Sequence, residues 1–128
     1  MPRAKALKVR VQDRPGVLGE VASVLGEKGI NVRGMQGWVE GDRGVLCFVV
    51  DKLAAASKVL LARGMTPEEE EVLEVELPHK PGAVGEVATK LGAAGVNIRF
   101  VFSGPAGGKR ATVYFAVSDV SAGMKALR

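Results

Sequence analysis

An internal repeat constrains this chain of 128 residues more than any other feature. Shifting the sequence by 66 residues lays Asp13–Arg33 on His79–Arg99, and 11 of those 21 positions are identical. They are Pro15/Pro81, Gly16/Gly82, Gly19/Gly85, Glu20/Glu86, Val21/Val87, Ala22/Ala88, Leu25/Leu91, Gly26/Gly92, Gly29/Gly95, Asn31/Asn97 and Arg33/Arg99. Two copies are too few to stack as a solenoid. Each is therefore expected to be a small domain, the first over 1–68 and the second over 69–128.

One copy reads as β-α-β-β-α. Over Ala6–Gln12, Leu7, Val9 and Val11 alternate with Lys8, Arg10 and Gln12, the pattern of a half-buried strand. Arg14-Pro15-Gly16 breaks it. Val17, Leu18, Val21, Val24 and Leu25 then recur at helical spacing, and Gly29 ends the helix. Ile30–Val39 reads as strand, Glu40–Gly44 as a hairpin loop and Val45–Val50 as a solid apolar central strand. Lys52–Arg63 predicts a second helix with Leu53, Leu60 and Leu61 inward, closed by Gly64, and Met65–Glu68 a short last strand. The second copy gives strand Val72–Leu77, helix Gly82–Ala94, and strands Val96–Ser103 and Arg110–Val117. A final helix follows, capped by Ser118, with Val120, Met124 and Leu127 inward. No strand comes after it. The open sheet edge this leaves is expected to be covered by another segment of the chain or by a second chain.

The turns carry the chemistry. The first N–H groups of a helix have no partner within it and form a positive end that receives a carboxylate or phosphate. In Asp13-Arg14-Pro15-Gly16-Val17-Leu18, Pro15 stiffens the entry and Gly16 lets a ligand approach the backbone. The pattern returns as His79-Lys80-Pro81-Gly82-Ala83-Val84. A single Pro-Gly turn needs no function; the recurrence of both turns ahead of Asn31 and Asn97 argues for one. Those amides suit a zwitterion's ammonium or carboxylate, and serve equally to satisfy backbone groups after a glycine turn. Arg33 and Arg99, two residues on and on the same strand face, could meet a carboxylate, and read rather as solvated edge charges. Asp13 offers a carboxylate to an ammonium group, whereas its counterpart His79 reads as an exposed turn residue, so the two turns are chemically unequal.

The paired Pro-Gly turns, each opening an amphipathic helix that ends in Gly and leads to an Asn-bearing strand, resemble the ACT domain. The strongest strings are Asp13–Leu18 with Gly29-Ile30-Asn31-Val32, and Pro78–Gly82 with Gly95-Val96-Asn97-Ile98. The resemblance covers nearly the whole chain. It implies an α+β fold of two ferredoxin-like βαββαβ repeats, antiparallel sheets with helices on one face, the second repeat lacking its last strand. It further implies a regulatory module that binds an amino acid or similar metabolite and controls an enzyme or gene of amino-acid metabolism. The family's ligand residues fall on Asp13, Gly16, Val17, Leu18 and Asn31, joined by Pro15, and on His79, Gly82, Ala83, Val84 and Asn97. Val17, Leu18, Met35 and Val101 are candidate walls. A homodimer and a target enzyme are the expected partners. The alternative is an interaction subunit with no ligand of its own.

Composition excludes other classes. No apolar run reaches the length of a membrane span, and no charged start followed by an apolar stretch suggests a secretory signal. Cys47 and His79 are the single cysteine and histidine, which removes an internal disulfide and a cysteine- or multi-histidine-built metal centre. A cytoplasmic location, no cofactor and no metal are the corresponding expectations, with Cys47 a buried small hydrophobe. No general base is matched with a nucleophile, so an enzyme is not expected. Glu20 and Glu86 read as first-turn acids favoured by the helix dipole. The net charge is +4, but the basic residues are scattered and read as a solvated surface. Glu68–Glu71 reads as a solvated linker face. RNA recognition on this strand order needs stacking aromatics on the central strands. Aromatics are 5% of the chain, Val45–Val50 offers only Phe48, and Phe100 and Phe102 read as core-facing. Nucleic acid is therefore not an expected partner.

Overall fold

The computed structural model describes residues 3–105 and 107–128. Its elements run β1 (Arg3–Gln12), α1 (Val17–Glu27), β2 (Val32–Glu40), β3 (Arg43–Val50), α2 (Leu53–Ala62), β4 (Glu68–Pro78), α3 (Ala83–Ala93), β5 (Ile98–Ser103), β6 (Arg110–Val117) and α4 (Val120–Ala126). The order β-α-β-β-α appears twice, as the repeat requires, in tandem ferredoxin-like units. The chain divides into Lys5–Glu70 and a second unit made of Glu71–Arg128 with Met1–Ala4, of which Arg3 and Ala4 are described.

In the first unit the strand order is β2-β3-β1, followed by Glu68–Glu70 at the start of β4. Leu7 pairs with Phe48 and Val9 with Leu46 in the β1/β3 ladder, and Met35 pairs with Phe48 in β2/β3. Leu7, Val9, Val11, Leu46, Phe48 and Val50 pack one sheet face against Val21 and Leu25 of α1 and Ala56 and Leu60 of α2. Strand β3 is central and buried on both faces, since Val45, Cys47 and Val49 on the other side are equally inaccessible. The second helix corrects the sequence reading at one position. Ala56 and Leu60 face inward and Val59 packs beside them, but Leu61 is 56% exposed. Leu60 and Leu61 lie 100° apart on the helix, and the Leu53–Ala56–Leu60 stripe takes the core.

The second unit repeats this with the order β5-β6-β4, followed by Arg3–Ala4. Its core joins Leu73, Val75 and Leu77 of β4 to Val87 and Leu91 of α3 and to Val113, Phe115 and Val117 of β6, with Val120, Met124 and Leu127 packed against it. Among the described residues no strand follows α4. The place beside β4 is taken by Arg3–Ala4, another segment of the chain. Arg3 is tied there by Glu71 at 3.2 Å, Ser121 Oγ at 3.1 Å and Met124 Sδ at 3.1 Å.

Three further readings need correction. Glu68–Glu71 is no linker. It opens β4, and the expected short strand at Met65–Glu68 begins only at Glu68 and continues to Pro78. Its carboxylates meet the basic residues of β1: Glu68 with Arg10 (2.6 Å), Glu69 with Lys5 (3.3 Å), Glu70 with Lys8 (3.4 Å) and Glu71 with Arg3. Phe100 and Phe102 do not join the helix-side core. A bulge between Ile98 and Phe100 shifts the register by one, so Phe102 pairs with Tyr114 on the opposite sheet face, where both are buried, and their rings stack at 5.1 Å. Finally, Asp119, not Ser118, caps α4, accepting the Ala122 N–H at 3.0 Å.

Candidate functional site

The turn between β1 and α1 is built as the sequence suggests. Gly16 is the N-cap of α1 with φ 88°, in the left-handed region that costs a side chain dearly, and no side chain caps the helix. Its carbonyl accepts the Glu20 N–H at 3.0 Å. The first-turn donors of α1 are thus left without a side-chain acceptor at an exposed turn. Gly82 repeats the geometry at the start of α3, with φ 86°.

Beside the first turn lies a cleft of about 350 Å³. Asp13, Val17 and Leu18 form one side; Met35, Gly37, Trp38 and Val39 of β2 form the other; Val11, Gly44 and Leu46 close the floor. Asp13 is the one ionisable group of this lining. Four of the sequence's residues, Asp13, Val17, Leu18 and the wall residue Met35, are therefore gathered here. A bulge between Val32 and Gly34 sets the phase of β2 so that Met35 and Gly37 lie across from Phe48 and Leu46. Gly37 keeps the wall thin, since a Cβ there would come within 3.1 Å of Leu46 Cδ2. Trp38 donates its indole N–H to Glu40 at 2.7 Å. Gly37, Trp38 and Val39 were missed in the sequence; for Gly37 and Val39 the two-residue spacing from Met35 was the available signal.

Pro15, Gly16 and Asn31 do not line this cleft. Asn31 is held through its backbone: its N–H donates to Asp51 Oδ1 at 2.9 Å and its carbonyl accepts the Asp51 N–H at 3.2 Å. In the second unit Asn97 is clasped the same way by Ser118, at 3.1 Å to Oγ and 2.9 Å from the Ser118 N–H. That clasp is what Ser118 does instead of capping. The other second-unit candidates are dispersed. His79 is exposed and donates its N–H to the Lys109 carbonyl at 2.7 Å; Val84 and Val101 are exposed. Ala83 is buried and lines a different cleft, of about 340 Å³, with Leu77, Lys80, Glu86 and Lys90.

The remaining chemistry is sparse. Cys47 is fully buried, and burial, aided by Glu70, pushes its thiol up to about 11 while Lys8 pulls the other way. Among the described residues no group of three or more His, Cys, Asp or Glu is arranged to hold a metal ion. Among the described residues no helix is long and apolar enough to cross a membrane.

The sequence pattern of the ACT domain matches residues 5–60 and 72–124, so the chain belongs to the ACT domain family. Among solved structures it is similar to protein BT0572 from Bacteroides thetaiotaomicron, at 28% identity and a TM-score of 0.89, over 98% of this chain and 86% of that one. It also resembles the ligand-free regulatory subunit of aspartate kinase from Thermus thermophilus, at 19% identity and a TM-score of 0.70, over 99% and 91% of the two chains. Aspartate kinase from Synechocystis matches at 20% identity and a TM-score of 0.65, over 98% of this chain but 24% of the enzyme. No curated protein matches the chain.

Proposed function

We propose that the chain is a non-catalytic regulatory module of the cytoplasm that binds a free amino acid with an apolar side chain and so controls an enzyme or gene of amino-acid metabolism. One observation carries the reading: the cleft that joins a single carboxylate, uncapped helix N–H groups and apolar walls. Asp13 meets the ammonium group, the start of α1 meets the carboxylate, and Val17, Leu18, Met35 and Leu46 receive the side chain. Pro15 and Gly16 shape the turn, and Asn31 holds the start of β2. His79, Gly82, Ala83, Val84 and Asn97 occupy the matching positions in the second repeat but do not gather at one cleft, and a histidine there replaces the carboxylate, so recognition of an amine is weaker. The regulatory subunit of aspartate kinase among the structural neighbours supports a regulatory role. The exposed Leu18, Met35 and Val39 around the cleft mouth suit closure by a second copy of the chain.

The test is a thermal-shift screen of the purified chain against the twenty amino acids at millimolar concentration. A ligand at about a hundred times its dissociation constant stabilises the folded state by roughly 2.7 kcal/mol, which raises the melting temperature by several degrees. The expected result is one apolar amino acid whose shift disappears in Asp13→Ala. A flat screen with well-folded protein refutes the reading and leaves an interaction subunit without a ligand.

A further inference from the structure

A second cleft in the first unit, on the other flank of α1, holds about 370 Å³. Its floor is apolar, from Val11, Val17, Val21, Val24 and Met65, and its rim carries Arg10, Arg14, Arg43 and Arg63. Glu20 is the one carboxylate in that lining, so cations exceed anions by three. Arg14 is engaged by Glu20 and Gln12, and Arg10 by Glu68 outside the cleft. Arg43 and Arg63 have no ion-pair partner among the described residues. Like charges gathered on one concave rim repel one another, and an anion that bridges them relieves that repulsion.

The repeat supplies an internal control. The matching cleft of the second unit has nearly the same volume and a corresponding lining, but Glu76 stands for Arg10, Lys80 for Arg14 and Lys90 for Val24. With Glu86 it balances two cations by two anions. The scaffold is duplicated and the cationic excess is not. Guanidinium groups bind phosphate in a planar, two-pronged geometry that lysine does not reproduce.

We propose that the arginine-rimmed cleft of the first repeat binds a small polyvalent phosphate carried on an apolar body, a ligand of the nucleoside polyphosphate class. The phosphates lie against Arg43 and Arg63, and the base and sugar against the Val17–Val24 side of α1 and Met65. The cleft shares Val11 and Val17 with the one assigned to the amino acid, but Asp13 and Leu18 do not line it, so the charged groups of the two are distinct.

Isothermal titration of the 128-residue chain with ATP, at low salt and without divalent cations, tests this. The expected result is one ATP per chain, with affinity reduced roughly tenfold or more in the double variant Arg43→Ala/Arg63→Ala. Binding changes little in Lys80→Ala/Lys90→Ala and in Asp13→Ala, so the outcome is independent of the amino-acid site. Inorganic tripolyphosphate binds more weakly than ATP because it cannot use the apolar floor. Absence of binding overturns the proposal. So does binding untouched by loss of Arg43 and Arg63, or tripolyphosphate binding as tightly as ATP. Circular dichroism of each variant guards against loss of fold, and the two arginines are exposed, so their removal leaves the core intact.

Discussion

Replacing Gly16 by alanine isolates the backbone geometry on which the proposed amino-acid site depends. Gly16 sits at φ 88°, and a Cβ added there meets nothing within 4 Å. Steric overlap with neighbours therefore contributes nothing, and the whole effect is conformational. An L-residue held in the left-handed region costs about 1–2 kcal/mol. Alanine also stiffens the unfolded chain, which offsets about 0.4–1 kcal/mol. The net expectation is a loss of about 1 kcal/mol, or a fall in melting temperature of roughly 4 °C. Gly19, three residues on and inside α1, is equally unobstructed but lies in helical conformation. Gly19→Ala should therefore stabilise, by up to about 1 kcal/mol. Urea titration of the three proteins reads both changes as shifts in midpoint at constant slope. Gly82→Ala, with φ 86° and the same open surroundings, should reproduce the Gly16 result. If Gly16→Ala is neutral, or if the Gly16 and Gly19 variants move together, the assignment of a strained left-handed cap is wrong.

Two further outcomes follow from packing and ionisation. Leu60→Ala empties a fully buried position and should cost about 2–5 kcal/mol, while Leu61→Ala should stay within about 0.5 kcal/mol of the parent; thermal denaturation of the pair checks which face of α2 is buried. The Cys47 thiol rises from 9.0 to about 11 in the folded chain. The folded state then holds its proton where the unfolded state loses it, so this contribution is complete below pH 9 and fades as pH climbs towards 11. Stability should fall across that window in the parent and less steeply in Cys47→Ala, and iodoacetamide should leave Cys47 unmodified at pH 8 until the chain unfolds.

The repeat and its punctuation were legible because they are local. Pro-Gly turns, glycine stops and periodic apolar residues fix α1, α3 and the strands around them without reference to distant chain. What escaped was set by pairing between strands. The bulge between Ile98 and Phe100 turns the phenylalanines away from the helix-side core, and no residue in Val96–Ser103 announces it. Glu68–Glu71 looked like linker because an acidic run is ordinarily solvated; beside β1 its carboxylates find Arg3, Lys5, Lys8 and Arg10, and the run becomes strand. The same pairing absorbs the basic residues near the start of the chain. Three of these four pairs are exposed and worth little individually, but Lys8 and Glu70 are less than one-fifth accessible, and their match limits the penalty of burying either charge. At the candidate site, Asp13, Val17 and Leu18 could be read from their turn, whereas the facing wall of Gly37, Trp38 and Val39 depends on the β2 bulge.

The two repeats divide into parts that are the same and parts that are not, and the division separates scaffold from chemistry. Gly16 and Gly82 share one backbone conformation, and Gly29 and Gly95 end α1 and α3 at φ 70° and 74°. Asn31 and Asn97 are clasped by Asp51 and Ser118, different side chains that meet the same backbone N–H. These features fix where each helix starts and where the strand after it begins. The side chains they present differ: Asp13 against His79 at the turn, Arg10 against Glu76 on the flank, Arg14 against Lys80 behind it. A ligand that reads charge therefore meets two unlike surfaces on one architecture. Under the proposed function, occupancy of the first repeat alone is the expected outcome, and it requires no difference in fold between the two.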